Sequence, residues 1–351
     1  MDSRVPSVRC TAIAVALAWP LAVGVGPGVV AAQVAPSATR LSIQTPSDAR
    51  VWPAPPAQAR IRYVGSLDPA STRGKPSLFV RAWHALVGGR EEPEMLQPYG
   101  VAVDPAGRVL VADTFGHAIH VLDPRKPKYS SIRVDGGSLI GVALAGDRLV
   151  VTDSASGRVI CLDDRGRTRW TLGPGDGFER PTGVVVAGDR VYVADTLANR
   201  IVIVGLGGKV LGSFGRRGDG PGEFNFPTNL ARTIDGRLLV TDAMNFRVQV
   251  FDADGRFLRT FGRLGDGSGD FDKPKGVAVD SDGHIYVVEG ISDVVQVFDD
   301  SGQFLLAFGG SGSGAGQLWL PSGIAIANGR IYVADSANRR IQVYQYLGAR
   351  Q

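Results

Sequence analysis

Residues 274–298 read Pro274-Lys275-Gly276-Val277-Ala278-Val279-Asp280, then Ser281-Asp282-Gly283-His284, then Ile285-Tyr286-Val287-Val288-Glu289, and after a short turn Val294-Val295-Gln296-Val297-Phe298. Three apolar runs of about five residues, separated by turn formers, are too short for helices and fit consecutive antiparallel strands. The pattern recurs along the chain. Its first run returns as Gly100-Val101-Ala102-Val103, Gly141-Val142-Ala143-Leu144, Gly183-Val184-Val185-Val186 and Gly323-Ile324-Ala325-Ile326, with a degraded copy at Asn229-Leu230-Ala231-Arg232. The second run ends each time in an acid: Asp113, Asp153, Asp195, Asp242, Glu289 and Asp335. A third run follows, and a fourth closes most units, as at Phe257 to Phe261 and Phe304 to Phe308.

Six units of about 40 to 47 residues, each of four strands, predict an all-β, six-bladed β-propeller. The nearly continuous apolarity of each first strand suits an inner strand sandwiched between neighbouring blades. Blade six ends with its third strand near Tyr346, so it lacks an outer strand. Arg60-Ile61-Arg62-Tyr63-Val64-Gly65 matches the outer-strand pattern of Arg256 to Gly262 and is expected to complete blade six, closing the ring. Closure removes an exposed sheet edge. The propeller is thereby expected over 60–347, with an insertion near 77–88 in which Ser77 caps a short helix presenting Phe79, Val80, Trp83, Leu86 and Val87 on one face.

Composition agrees. Forty-seven Gly and 21 Pro beside 44% hydrophobic residues suit many short strands. A net charge of +4 from 38 basic and 34 acidic residues, with no basic run, points away from nucleic acid. Residues 1–32 read as an export signal. Arg4 and Arg9 precede an apolar stretch from Thr11 to Val30, and Val30-Ala31-Ala32 offers a cleavage site before Gln33. An uncleaved membrane anchor is the alternative; Pro20, Pro27 and three glycines interrupting the stretch favour cleavage. The expected product is secreted or periplasmic, monomeric, and without a stable membrane span. Residues 33–59, rich in Ala, Pro and Ser, read as a flexible tether. After cleavage only Cys161 remains, so stability must come from burial and ring closure, not an internal disulfide.

The units resemble the NHL repeat family. The resemblance rests on Pro98 to Asp104 and Pro274 to Asp280, on Tyr-Val-Ala-Asp at 192–195 and 332–335, and on the glycine-rich linkers Gly220 to Phe224 and Gly267 to Phe271. It covers about residues 60–347 and implies the propeller fold. It implies function weakly, because the family includes RNA-binding regulators, sensor domains of kinases and a peptide-amidating lyase domain.

Propellers bind ligands at one end of the channel, and the residues just before the inner strands mark that mouth: Tyr99, Ile140, Thr182, Thr228, Lys275 and Ser322. In four units an Arg stands five residues after the acid, as Asp153–Arg158, Asp195–Arg200, Asp242–Arg247 and Asp335–Arg340, a spacing suited to fixing a loop by charge-assisted hydrogen bonds. Blades one and five break the rule, with Ala118 and Val294 at the Arg position. Asp113 and Glu289 are therefore expected to be available to a polar or cationic ligand, with Tyr99, Lys275 and Ser322 beside them. His117 and His120 make a poor metal pair: His120 occupies the slot held elsewhere by Gln249, Gln296 and Gln342, and neighbouring strand residues tend to face opposite ways. Asp252-x-Asp254-Gly255 and Asp280-x-Asp282-Gly283 lack the later Glu of a calcium loop and read as turns. The leading expectation is a non-catalytic binder of a protein, peptide or glycan, without cofactor. The alternative is a lyase or lactone hydrolase using a divalent metal such as calcium or zinc in the channel, with Glu289 and Asn229 as its candidate ligands.

Overall fold

The computed structural model describes residues 50–69, 94–124 and 128–348. The expected export signal and the expected helix near 77–88 lie outside the described residues. Twenty-five strands, numbered β1–β25 in chain order, form six antiparallel sheets among the described residues. Blades one to five are β3–β6 (98–133), β7–β10 (139–172), β11–β14 (181–214), β15–β18 (227–261) and β19–β22 (274–309). Blade six has the order β1-β2-β25-β24-β23. There β2 (Ile61–Leu67) pairs with β25 (Arg340–Tyr346), so the clasp read from the sequence is the outer strand of the last blade. Within the segment expected to be a tether, β1 (Val51–Trp52) pairs with β2, which holds this part against the sheet.

The innermost strands β3, β7, β11, β15, β19 and β23 contact one another in sequence, and β23 contacts β3, which closes the circle. The repeated glycine is dictated by that approach. A Cβ at Gly100 would meet the carbonyl oxygen of Ile140, one at Gly141 that of Thr182, and one at Gly323 that of Tyr99. Asn229 is the one member of the six that carries a side chain.

Each hydrophobic cluster belongs to two blades. Tyr286, Val288 and Val297 of blade five meet Ile331, Val333 and Tyr344 of blade six, with Ile61 and Tyr63 of the clasp in the same cluster. The clasp's other face gives Leu67 to the cluster shared with blade one. A β-bulge between Tyr63 and Gly65 shifts the register, so one strand feeds two cores. The glycine-rich linkers fold over a buried aromatic: Phe224 packs on Phe251 and Phe271 on Phe298, ring centroids 5.5 and 5.6 Å apart.

Strand direction defines two faces. With the four strands of each blade called a to d from the channel outward, the b–c turns and the d–a linkers lie at the end where the inner strands begin; the a–b and c–d turns lie at the other. No helix among the described residues is long and apolar enough to cross a membrane.

Candidate functional site

The acids that end the second strands are pins for the blade linkers. Asp153 accepts from the amides of Gly137 and Ser138 at 3.0 and 2.9 Å, and Arg158 Nη2 lies 3.1 Å from it. Arg200, Arg247 and Arg340 pair with Asp195, Asp242 and Asp335 at 3.3, 2.9 and 2.7 Å. Arg247 goes on to the carbonyl oxygens of Asp219, Gly220 and Glu223, tying turn to linker.

Blade one departs from expectation. Asp113 does not lack a partner, because His120 Nε2 lies 3.0 Å from it and takes the Arg's place. The other ring nitrogen is 2.7 Å from the Tyr129 hydroxyl. Asp113 also accepts from the amides of Leu96, Gln97, Phe115 and Gly116. Burial pushes its carboxyl up, but these bonds outweigh it and the net direction is down. A fully buried carboxylate with five donors has no edge left for a ligand. Glu289 is likewise enclosed and accepts from the amides of Asp272 and Lys273. Its carboxyl is raised, chiefly by burial.

Ser322 and Lys275 belong to a second device, an inter-blade latch. In blades one, three and six the residue after the acid donates its hydroxyl to the carbonyl that opens the next inner strand: Thr114 to Leu139, Thr196 to Pro227 and Ser336 to Pro98, at 3.2, 2.7 and 2.7 Å. Ser322 Oγ sits 2.7 Å from Ser336 Oγ, as Thr182 Oγ1 does from Thr196 Oγ1. In blade five that residue is Gly290, which has no hydroxyl. Lys275 crosses the space a Gly290 side chain would fill and donates from Nζ to Pro321 O at 2.9 Å. Burial, with the Lys273 charge, lowers its ammonium to about 8. Tyr99 stays partly exposed, and burial raises its phenol.

The five residues singled out from sequence therefore do not converge on one cavity. Asp113, Glu289 and Ser322 are internal struts, Lys275 is a latch, and Tyr99 alone among them combines partial exposure with a side chain that no described residue hydrogen-bonds. The channel itself narrows to a cavity of about 50 Å³, walled mainly by glycines and valines, with Asn229 as its polar side chain. Glu289 does not line it. No group of three or more His, Cys, Asp or Glu residues converges among the described residues.

What the sequence reading missed is a crown of apolar side chains on the b–c face. The second residue after each acid is Phe115, Ala155, Leu197, Met244, Ile291 or Ala337. Phe115, Met244 and Ile291 are 64%, 53% and 57% exposed. The linkers of the same face add Leu96, Phe226, Trp319 and Leu320, all exposed. Phe226 and Leu320 have φ of 57° and 49°, a left-handed conformation costly for bulky residues. Each is held there by the turn of the preceding blade: Asn199 Oδ1 accepts from Phe226 N at 2.9 Å, and Asp293 Oδ1 from Leu320 N at 2.8 Å. The signal was present as a fixed offset from the acid.

Family comparison agrees with this architecture. A model described as NHL repeat matches residues 318–344, and one described as 6-bladed beta-propeller matches 229–293. The chain belongs to the NHL-repeat six-bladed β-propellers. A third model, described as outer membrane protein assembly factor BamB, matches residues 44–219. No curated protein matches the propeller. Among solved structures it is similar to virginiamycin B lyase from Staphylococcus aureus bound to quinupristin (TM-score 0.55, 15% identity, 71% of this chain and 94% of that one). It is also similar to a gluconolactonase from Xanthomonas campestris (TM-score 0.57, 17% identity, 72% and 87%). A third likeness is to a chain of the nidogen/laminin complex (TM-score 0.50, 19% identity, 61% and 80%). At these identities the NHL propeller shares their fold, and enzymes and binding proteins both use it.

Proposed function

We propose that this propeller is a non-catalytic binding module, working outside the cytoplasm, that docks a protein or peptide partner on the face carrying the b–c turns. The observation that carries this reading is the apolar crown. Exposed Phe, Leu, Met, Ile and Trp recurring on one face, interspersed with exposed charged residues such as Arg180 and Lys273, have the composition of a protein-recognition surface rather than of a glycan site. Two of its members, Phe226 and Leu320, occupy backbone positions where glycine is the unstrained choice. Strain held in place by surrounding hydrogen bonds is characteristic of binding surfaces.

The test is selection from a displayed random-peptide library on the wild-type propeller and on Phe115→Ser/Trp319→Ser. Both residues are exposed, so the double variant keeps its core. Enrichment of peptides rich in apolar residues on the wild type, lost on the variant, is the expected result. Equal enrichment on both, or none on the wild type, removes the crown as a docking surface.

A further inference from the structure

A larger cavity lies at the other end of the molecule. A groove of about 510 Å³ opens between the outer strand of blade five and the clasp of blade six, beside the a–b turn that contains His284. Its apolar wall is built from Ile61, Val297, Leu305 and Leu306; its polar side carries Arg60, His284 and Tyr346. None of these residues takes part in the pins, the latches, the channel or the crown.

The polar groups are unevenly satisfied. Asp280, just inside the wall, accepts at Oδ1 from the amides of Asp282 and His284, both at 2.9 Å. Its Oδ2 accepts from the Tyr286 hydroxyl at 2.9 Å and lies 3.0 Å from His284 Nδ1. Because the carboxylate is the acceptor, Nδ1 carries the proton and the ring is fixed in orientation. Nε2 bonds to no described residue. The His284 ring also meets Tyr346 edge-on, centroids 5.3 Å apart. Arg60 donates from Nη1 to Gly348 O at 3.3 Å and pairs with no carboxylate among the described residues. The groove thus shows a guanidinium with unused donors above an aliphatic wall, while the nearby acid is already saturated.

We infer that this groove binds a small amphipathic monocarboxylate, its head group on Arg60 and its apolar body along Leu305 and Leu306. A planar guanidinium matches a carboxylate bidentately, and one unpaired cation suits a monoanion better than a phosphate dianion. The volume falls within the usual range for small-molecule sites, about 300 to 1,000 Å³. His284, oriented by Asp280, flanks the head group as a positioning residue. The inference is independent of the crown, which lies on the opposite face.

Isothermal titration with decanoate, and with methyl decanoate as the uncharged control, tests it on the wild type, Arg60→Gln, Leu305→Asp and Trp319→Ser. Leu305 and Arg60 are solvent-accessible, so neither change empties a core. Decanoate is expected to bind the wild type at least about tenfold more tightly than its ester, the scale of one charge-assisted contact. Arg60→Gln and Leu305→Asp are each expected to weaken decanoate by about tenfold or more with unfolding temperatures near wild type, and Trp319→Ser to leave binding unchanged. Absence of decanoate binding overturns the inference. So does equal binding of acid and ester, or loss through Trp319→Ser with both groove variants intact.

Discussion

At the residue scale, the carboxylates that occupy one repeat position do not titrate alike. Burial alone would raise the Asp153 carboxyl; the bonds from Ser138, Ser156, Gly137 and Arg158 outweigh it and bring it down to about 2. A folded value below the unfolded one stabilises the protein above the unfolded pKa, and that contribution is lost as the pH falls from about 4 to about 2. Glu289, raised by burial, has the opposite sign: its ionisation costs stability as the pH rises through its folded value. Asp153→Asn is therefore expected to lower stability at pH 7 by about 1–3 kcal/mol and Glu289→Gln by less, read as urea midpoints. Lys275 gives a second test. With its folded value lowered to about 8, the unfolded chain holds the proton more tightly, so its contribution makes stability rise with pH between about 8 and 10.5. Gly290→Ser alone drives a side chain into Lys275 and is expected to destabilise; Lys275→Ala/Gly290→Ser supplies the hydroxyl latch of blades one, three and six and is expected to recover much of that loss. Thermal unfolding of the two variants decides it, and a double variant no better than the single one refutes the latch.

At the element scale, stability rests on β2. Ile61 and Tyr63 are buried on one side of the strand and Leu67, beyond the bulge between Tyr63 and Gly65, on the other, so together they complete two inter-blade cores. Tyr63→Ala is expected to cost about 3–5 kcal/mol, as for other large core aromatics, whereas Arg62→Ala on the exposed side is expected to change stability by less than about 0.5 kcal/mol. Comparable losses in the two would place β2 outside the core. The clasp was legible because its pattern repeats that of Arg256 to Gly262. The inner-strand glycines were legible for the same reason, and the Asp–Arg pins because both partners lie in one repeat at a spacing of five. The rest was hidden where a single blade departs from the repeat's rule or where partners lie far apart in the chain. Lys275 answers a missing hydroxyl at Gly290, and His120 satisfies Asp113 from a slot that held glutamines elsewhere. The groove draws on residues 53–61, 284–306 and 346, which no local motif joins.

At the scale of the whole molecule, the two open surfaces lie on opposite faces, so crown and groove can be altered separately. Leu320→Gly is expected to keep or raise the unfolding temperature, because glycine relieves the left-handed strain at φ of 49°, while weakening any peptide held by the crown. A lower unfolding temperature together with unchanged peptide binding would show that Leu320 serves the fold instead. The pairing of β2 with β25 also has a consequence for how the molecule is made. Arg60 and Gly348, joined by a hydrogen bond in the finished ring, are 288 positions apart in the chain. During synthesis β2 emerges ahead of blades one to five and waits for β25, which follows them. Through that interval its Ile61, Tyr63 and Leu67 have no completed surface to cover them, so a holding chaperone that engages this stretch would protect the newborn chain until β25 is made.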